Sequence, residues 1–277
     1  MDFTKMQGCG NDYIYINGFE ETVTNPYELS IAMSDRHFGI GGDGIVLILP
    51  SEVSDFRMRM FNADGSEAQM CGNAIRCVGK YVYDNKMTGK ELLEIETLAG
   101  IKVLELTVED ELVETVRVDM GEPILLSDLI PVRAKGTKAP HVNITLEEDT
   151  FDFTCVSMGN PHAITFVDEI TDKQIHVYGP QIEENPFFPD KTKVEFASIF
   201  NHGTIDMRVW ERGSGETLAC GTGSCATLVA AVLGGKTDRE VIIRLLGGDL
   251  YVEWDAETNH IFMTGPAEVV FTGTWSL

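Results

Sequence analysis

Two cysteines carry the clearest chemical signal in this chain. Cys71 lies in FNADGSEAQMCGNAIRC and Cys220 in VWERGSGETLACGTGSC. Each closes a polar stretch containing Gly and Glu, is followed by glycine, and opens an apolar segment that reads as a helix. The thiolate is the reactive form of cysteine, and the unsatisfied N–H groups of a helix start favour it. The same N–H groups can hold a carboxylate. Two helix-start thiols with matched flanks predict one cleft with a cysteine on each wall. Inverting a carbon beside a carboxylate suits that arrangement, because a proton leaves one face and another arrives at the opposite face. A thiolate and a thiol can do this, exchanging roles with direction. Fixed donors at the carboxylate oxygens steady the carbanion between the two steps.

Other uses of two cysteines explain less. A thiol–disulfide switch usually carries CxxC, which is absent here. A Cys-His hydrolase needs one thiol and leaves the second motif idle. A redox or non-catalytic scaffold protein leaves the matched flanks without a reason.

The cysteines are 149 residues apart, and the same offset recurs elsewhere. It sets Gly10-Asn11 on Gly159-Asn160, Phe61-Asn62 on Trp210-Glu211, and Gly44 on Lys193. The period is too long for a solenoid or a propeller. It predicts an α+β fold: two pseudosymmetric mixed α/β domains from an internal duplication, with the active site in the cleft between them. The expected halves are residues 1–119 with 266–277, and residues 120–265.

Short β-branched runs predict the strands that position the site. In the first half these are Tyr13–Ile16, Ile45–Leu49, Phe56–Phe61, Leu92–Thr97, Lys102–Val108 and Val113–Met120. In the second they are Phe151–Met158, Ala163–Val167, Val194–Phe200, Thr204–Trp210, Val241–Arg244, Asp249–Trp254 and His260–Gly265. Ala267–Trp275 is strand-like and is expected to return to the first domain. Helices are predicted over Tyr27–Ser34, Asn73–Asp84 and Thr222–Leu233, the last stopped by Gly234-Gly235. Tyr178–Lys193, with three prolines, reads as a long loop, either a lid or a connection, with a connection favoured.

A chain of 277 residues can bury a substantial core. Its formal charge of −23 argues against nucleic acid or an acidic membrane as partner. No apolar run is long enough for a signal peptide or a membrane span, so a cytoplasmic protein is expected. The six cysteines lack zinc-motif spacing, so no metal is expected. No lysine motif for a pyridoxal Schiff base is present, and the chemistry is expected to run without a cofactor.

MQGCGNDYI, RHFGIGGDGI, FNADGSEAQMCGNAIRC, VSMGNPHA, WERGSGETLACGTGSC and TGPAEVVF occur in order along the chain. Together they resemble the diaminopimelate epimerase family. The resemblance implies a cofactor-independent isomerase of two pseudosymmetric domains that interconverts LL- and meso-diaminopimelate. It places that activity in lysine and peptidoglycan biosynthesis and implies a homodimer. It makes Cys71 and Cys220 the acid/base pair, with His162 and Glu211 assisting. It assigns Asn11, Asn62 and Asn160 to substrate binding, and Gly72, Asn73, Gly221 and Thr222 to the reacting carboxylate. Glu211 and Arg212 match the pair at the substrate's amino and distal carboxylate groups. Lys193 departs from the family's usual asparagine. It either meets the distal carboxylate as a point charge or points to solvent. An altered distal pocket would suit a racemase of the same fold acting on another amino acid, such as histidine. Asp43 reads as a turn-former.

Overall fold

Some strands of this molecule alternate buried and exposed residues, while Gly44–Leu49 and Pro161–Phe166 are buried along nearly their whole length. The computed structural model describes residues 1–134 and 138–276. The chain divides into two compact units, Met1–Asp119 with Thr264–Leu277, and Met120–Met263.

The first unit contains β1 (Asp2–Gly8), β2 (Asn11–Asn17), β3 (Gly44–Leu49), β4 (Phe56–Asn62), β5 (Glu67–Ala68), β6 (Leu92–Thr97), β7 (Gly100–Glu109) and most of β8 (Leu112–Gly121). Helix α1 (Pro26–Ser34) precedes β3, and α2 (Gly72–Asp84) follows β5. Strands β1 and β2 are antiparallel, β2 and β3 parallel, β3 and β4 antiparallel, and β4 and β6 parallel. The β6–β7–β8 meander completes one side, and β5 forms a short hairpin on β4. The core behind β2 and β3 gathers Ile14, Ile16, Met33, Ile45, Leu47 and Phe61.

The second unit contains β9 (His141–Leu146), β10 (Asp149–Ser157), β11 (Pro161–Phe166), β12 (Lys193–Asn201), β13 (Thr204–Glu211), β14 (Gly215–Thr217), β15 (Glu240–Leu245) and β16 (Gly248–Trp254). A π-helical turn (Gln174–Tyr178) runs into α3 (Gly179–Glu183), and α4 (Gly221–Leu233) follows β14. The chain crosses back to the first unit along β17 (Ile261–Pro266) and ends in β18 (Glu268–Thr274). Strand β18 pairs antiparallel with β1, so the tail belongs to the first unit. The core of the second unit packs Phe151, Phe153, Tyr178, Phe196 and Ile182.

The duplication holds at the level of strand register. Ile45 opposes Phe61, and Val194 opposes Trp210. Tyr13 is level with Gly44, and His162 with Lys193. Phe61 faces Glu67, and Trp210 faces Glu216. Each of these pairs maps onto its counterpart at an offset of 149 residues. Both long helices have thirteen residues, and Cys71 and Cys220 are their N-caps.

Where the helices end, the copies use one device. The Gly235 and Lys236 N–H groups reach back to Val232 and Ala231, and those of Lys86 and Met87 to Tyr83 and Val82. This double closure needs a left-handed residue just past the helix. Gly235 supplies it at φ 63°, and Lys86 adopts it at φ 58°.

Some expectations change here. The segment predicted as a loop from Tyr178 contains α3, because Pro180 sits in the first turn, where its missing N–H costs nothing. Strands β1, β5, β9 and β14 were absent from the predicted set. Lys5 occupies a core position of β1 and is 5% exposed. Its ammonium group is held by Asp12 at 2.6 Å and by the Gly41 carbonyl. Leu277, the last residue of the expected first half, lies outside the described residues.

Candidate active site

In the first unit, β5 delivers the chain to α2 with Cys71 in an extended conformation, φ −134° and ψ 125°. The Cys71 thiol donates to Asn11 Oδ1 at 3.2 Å. Asn11 lies at the start of β2, and its Nδ2 donates to Asp43 Oδ2 at 2.7 Å. Asp43 also receives the Asp12 N–H at 3.1 Å and Arg36 Nη2 at 3.0 Å. Burial, and then the charge of Asp12, push the Asp43 carboxyl above its ordinary value. Burial also opposes ionisation of Asp12, but the bonds from Arg36 and Lys5 outweigh it and hold that carboxyl below the usual range. The chain from Cys71 to Asn11 to Asp43 thus rests on a network of fixed charges.

Beneath the first turn of α2 lies Arg76, which is fully buried. It donates to the Gly72 carbonyl at 3.3 Å and to Asn73 Oδ1 at 3.0 Å. The side chain of Asn73 is thereby occupied. Asn62 lies at the end of β4, where its Nδ2 donates to Ser66 Oγ at 3.0 Å.

In the second unit, α4 starts at Cys220, and the Gly223 N–H donates to its sulfur at 3.3 Å. A Cβ at Gly223 would stand 2.7 Å from Glu195 Oε1 and 3.2 Å from Cys220 Sγ, so only glycine permits this approach. Lys193 Nζ lies 3.5 Å from Cys220 Sγ and is ion-paired with Glu211. The other Glu211 oxygen accepts from Thr217 Oγ1 at 2.6 Å. On the opposite flank, Thr222 Oγ1 lies 3.6 Å from Cys220 Sγ and accepts from Asn160 Nδ2 at 3.3 Å. Asn160 Oδ1 is 3.1 Å from His162 Nε2, and His162 Nδ1 is 2.6 Å from Glu195 Oε1. Glu195 is completely buried, and among the described residues its second oxygen accepts no hydrogen bond.

The expected lowering of a helix-start thiol does not hold at Cys220. Burial, followed by the Glu211 carboxylate, pushes it from 9.0 up to about 12, against the opposing pull of Lys193. Burial wins because it removes the water that would solvate a thiolate, and one sulfur-bound N–H does not replace it. For Glu211 the balance is reversed. Burial raises its carboxyl, but Lys193 and Thr217 together hold it below the ordinary value. Cys220 therefore rests as a thiol and Glu211 as a carboxylate.

The expected residues of each unit gather as follows. Asn11 meets Cys71, and Asn160, His162, Lys193, Glu211, Gly221 and Thr222 surround or adjoin Cys220. Arg212 is exposed and donates to the Asp190 carbonyl at 3.1 Å. Lys193 does not point to solvent; its side chain is 17% exposed. Glu195 and Thr217 were missed, and Asp43 does more than shape a turn. Glu195 was within reach of sequence reasoning, since two residues beyond Lys193 on a strand is the same face. Among the described residues, no group of His, Cys, Asp and Glu is placed to hold a metal ion, and no helix is long and apolar enough to cross a membrane.

Comparison with known proteins identifies the family and the fold. A family model described as diaminopimelate epimerase matches residues 3–126 and 154–270. The diaminopimelate epimerase of Methanococcus maripaludis (strain C5) is 58% identical over 273 residues, covering 99% of both chains. That of Acetivibrio thermocellus is 57% identical, covering 99% of this chain and 98% of the relative. The crystal structure of a probable proline racemase from Agrobacterium radiobacter K84 shares the fold, with a TM-score of 0.72 at 17% identity. It covers 100% of this chain and 93% of that one.

Proposed function

This chain belongs to the diaminopimelate epimerase family, and we propose that it interconverts LL- and meso-diaminopimelate by passing protons through Cys71 and Cys220. One observation carries the reading: each cysteine is the N-cap of the equivalent helix in two copies of one fold. On this reading the two half-sites close on one stereocentre from opposite sides. One sulfur removes the α-proton, and the other thiol supplies a proton to the far face. The electron pair left on carbon spreads into the carboxylate, whose oxygens meet the N–H groups that open α2 and α4. Those groups come from Gly72, Asn73, Gly221 and Thr222. Asn11, Asn62 and Asn160 hold the substrate's polar groups, and Glu211 and Arg212 meet its amino and distal carboxylate ends.

Cys220 enters the cycle as the acid, because burial keeps its proton on. The substrate carries two carboxylates and two ammonium groups, so its net charge is near zero. The −23 of the protein therefore does not repel it. Lys193 is turned to Cys220 and Glu211, which removes the argument from an altered distal pocket for a different amino acid. The proposal extends to a cytoplasmic homodimer working in lysine and peptidoglycan synthesis, and light scattering of the purified protein tests the dimer.

The mechanism is tested in deuterated water with each cysteine changed singly to serine. Loss of a positioned acid or base costs about a hundredfold or more, so both Cys71→Ser and Cys220→Ser should lose isomerisation by at least that factor. The remaining thiol should still exchange the α-proton of the isomer that faces it, without inversion. Two fully active single variants would exclude the two-base reading. Isomerisation of other amino acids but not diaminopimelate would exclude the substrate.

A further inference from the structure

The environment of Cys220 contains a cation that has no counterpart at the matching position of the first unit. Lys193 occupies the position that is Gly44 in the other copy, and a side chain there would collide with the Phe61 carbonyl. In the second unit the strand is open at this point, and Lys193 reaches across to Glu211 on β13 and to the sulfur at 3.5 Å. The groups that bear on this sulfur come from every neighbouring element. Glu211 faces it from β13, and Lys193 and Glu195 from β12. Thr222 and the Gly223 N–H come from α4. His162 on β11 connects to it through Asn160 and Thr222. Two carboxylates therefore oppose a negative sulfur, and Lys193 is the cation in contact with it.

We propose that Lys193 is a positioning residue for Cys220: its ammonium group is the counter-ion that receives the sulfur's charge each time Cys220 gives up its proton. When the thiol protonates the substrate carbon, the S–H electron pair stays on sulfur. The ammonium keeps all its protons and turns from serving Glu211 alone to serving both anions. When the sulfur takes a proton back, the Lys193–Glu211 pair is restored. The lysine makes no bond and breaks none. It sets how readily a buried thiol ionises beside a carboxylate, and it does so with a full positive charge. This deepens the proposed role of Cys220 and rests on it only for its catalytic meaning.

The test titrates thiolate ultraviolet absorbance in variants, each compared with the same variant carrying Cys220→Ser. Glu211→Gln removes the nearer opposing anion and leaves the ammonium to the sulfur, so the Cys220 midpoint falls. Adding Lys193→Met to Glu211→Gln removes an opposite charge in contact, which is worth about 1 to 3 pH units. The midpoint should climb by that much, while Lys193→Arg in the same background should keep it low. An unchanged midpoint on adding Lys193→Met overturns the proposal. A second measurement covers failure of those variants to fold. In Lys193→Met alone, alkylation of Cys220 by iodoacetamide, followed by peptide mass spectrometry, should slow by about tenfold or more, and an unaltered rate overturns it. Neither readout needs turnover. Failure of the wild-type protein to isomerise diaminopimelate would defeat the functional reading and leave this coupling measurable.

Discussion

Cys220 shows burial winning over a helix start. The Gly223 N–H and Lys193 both favour a negative sulfur, yet desolvation and Glu211 hold the proton on up to about 12. That has a consequence for folding. In the unfolded chain the thiol loses its proton near the ordinary 9.0, while in the folded chain it keeps it to about 12. Between those values the unfolded state binds fewer protons, so stability falls as pH rises through the window and is unaffected below it. Cys77, pushed up to about 11, and Cys155, pushed up to about 12, add to the same trend. The urea midpoint should therefore decline from pH 9 upward, and Cys220→Ser should make that decline shallower. An identical slope in the variant would show that Cys220 titrates alike in both states.

Between residues and the whole molecule, the helix starts and stops carry most of the design. Helix α4 is buried on nearly every side, from Gly223 to Ala231, which is why its sequence is apolar all round. Helix α2 is buried from Gly72 to Gly79 and keeps Lys80 and Tyr81 at its margin. Their shared C-terminal closure gives a direct test. Lys86 holds a left-handed conformation at which a side chain costs roughly 1 kcal/mol or more. Its surface contacts, Glu111 at 4.0 Å and the Tyr83 ring at 5.9 Å, return little. Lys86→Gly should therefore raise stability by about 0.5 to 1 kcal/mol, visible as a higher melting temperature. A lower one would mean that those contacts or the glycine's extra unfolded freedom outweigh the strain.

The same elements show what was legible in the chain. Both long helices were readable to within one residue at their starts, because a polar stretch and a Cys-Gly pair precede a largely apolar segment of helical length. Most strands were readable from β-branched residues. Strand β1 was not, because Lys5 stands at a core position and only its partner Asp12, on the next strand, makes that tolerable. Nor was α3, whose one proline, Pro180, suggested a loop but fits a first helical turn. At the site, the matched cysteine motifs pointed to both N-caps. The direction of Lys193 was invisible, because it depends on Glu211 lying opposite it across the β12–β13 pair, a fact of register and not of local pattern. Strand alternation puts Glu195 on the face of Lys193, but its partner His162, on the neighbouring strand β11, has no local signal.

For the whole molecule, the last strand decides which unit the end of the chain completes. The last strand does not finish the unit that precedes it; β18 lies along β1, with Phe3 opposite Gly273. Phe271 stacks edge-on against Phe3 at 5.9 Å, and Trp275 joins the core of Ile14, Ile45 and Phe61. The N-terminal amine donates to the Trp275 carbonyl at 3.0 Å. Truncation after Pro266 removes all of this. It strips one edge of β1 of its hydrogen-bond partners and uncovers apolar side chains, while leaving every strand pairing from β9 to β16 intact. Local unfolding free energies follow such contacts. Amide exchange should therefore accelerate strongly in β1 and β2 of the truncated protein, with β12 and β13 keeping most of their protection. Because Cys71 leans on Asn11 in β2, isomerisation should fail while the Cys220 half remains folded. Equal loss of protection in both units would instead show that the duplicated halves unfold as one cooperative body.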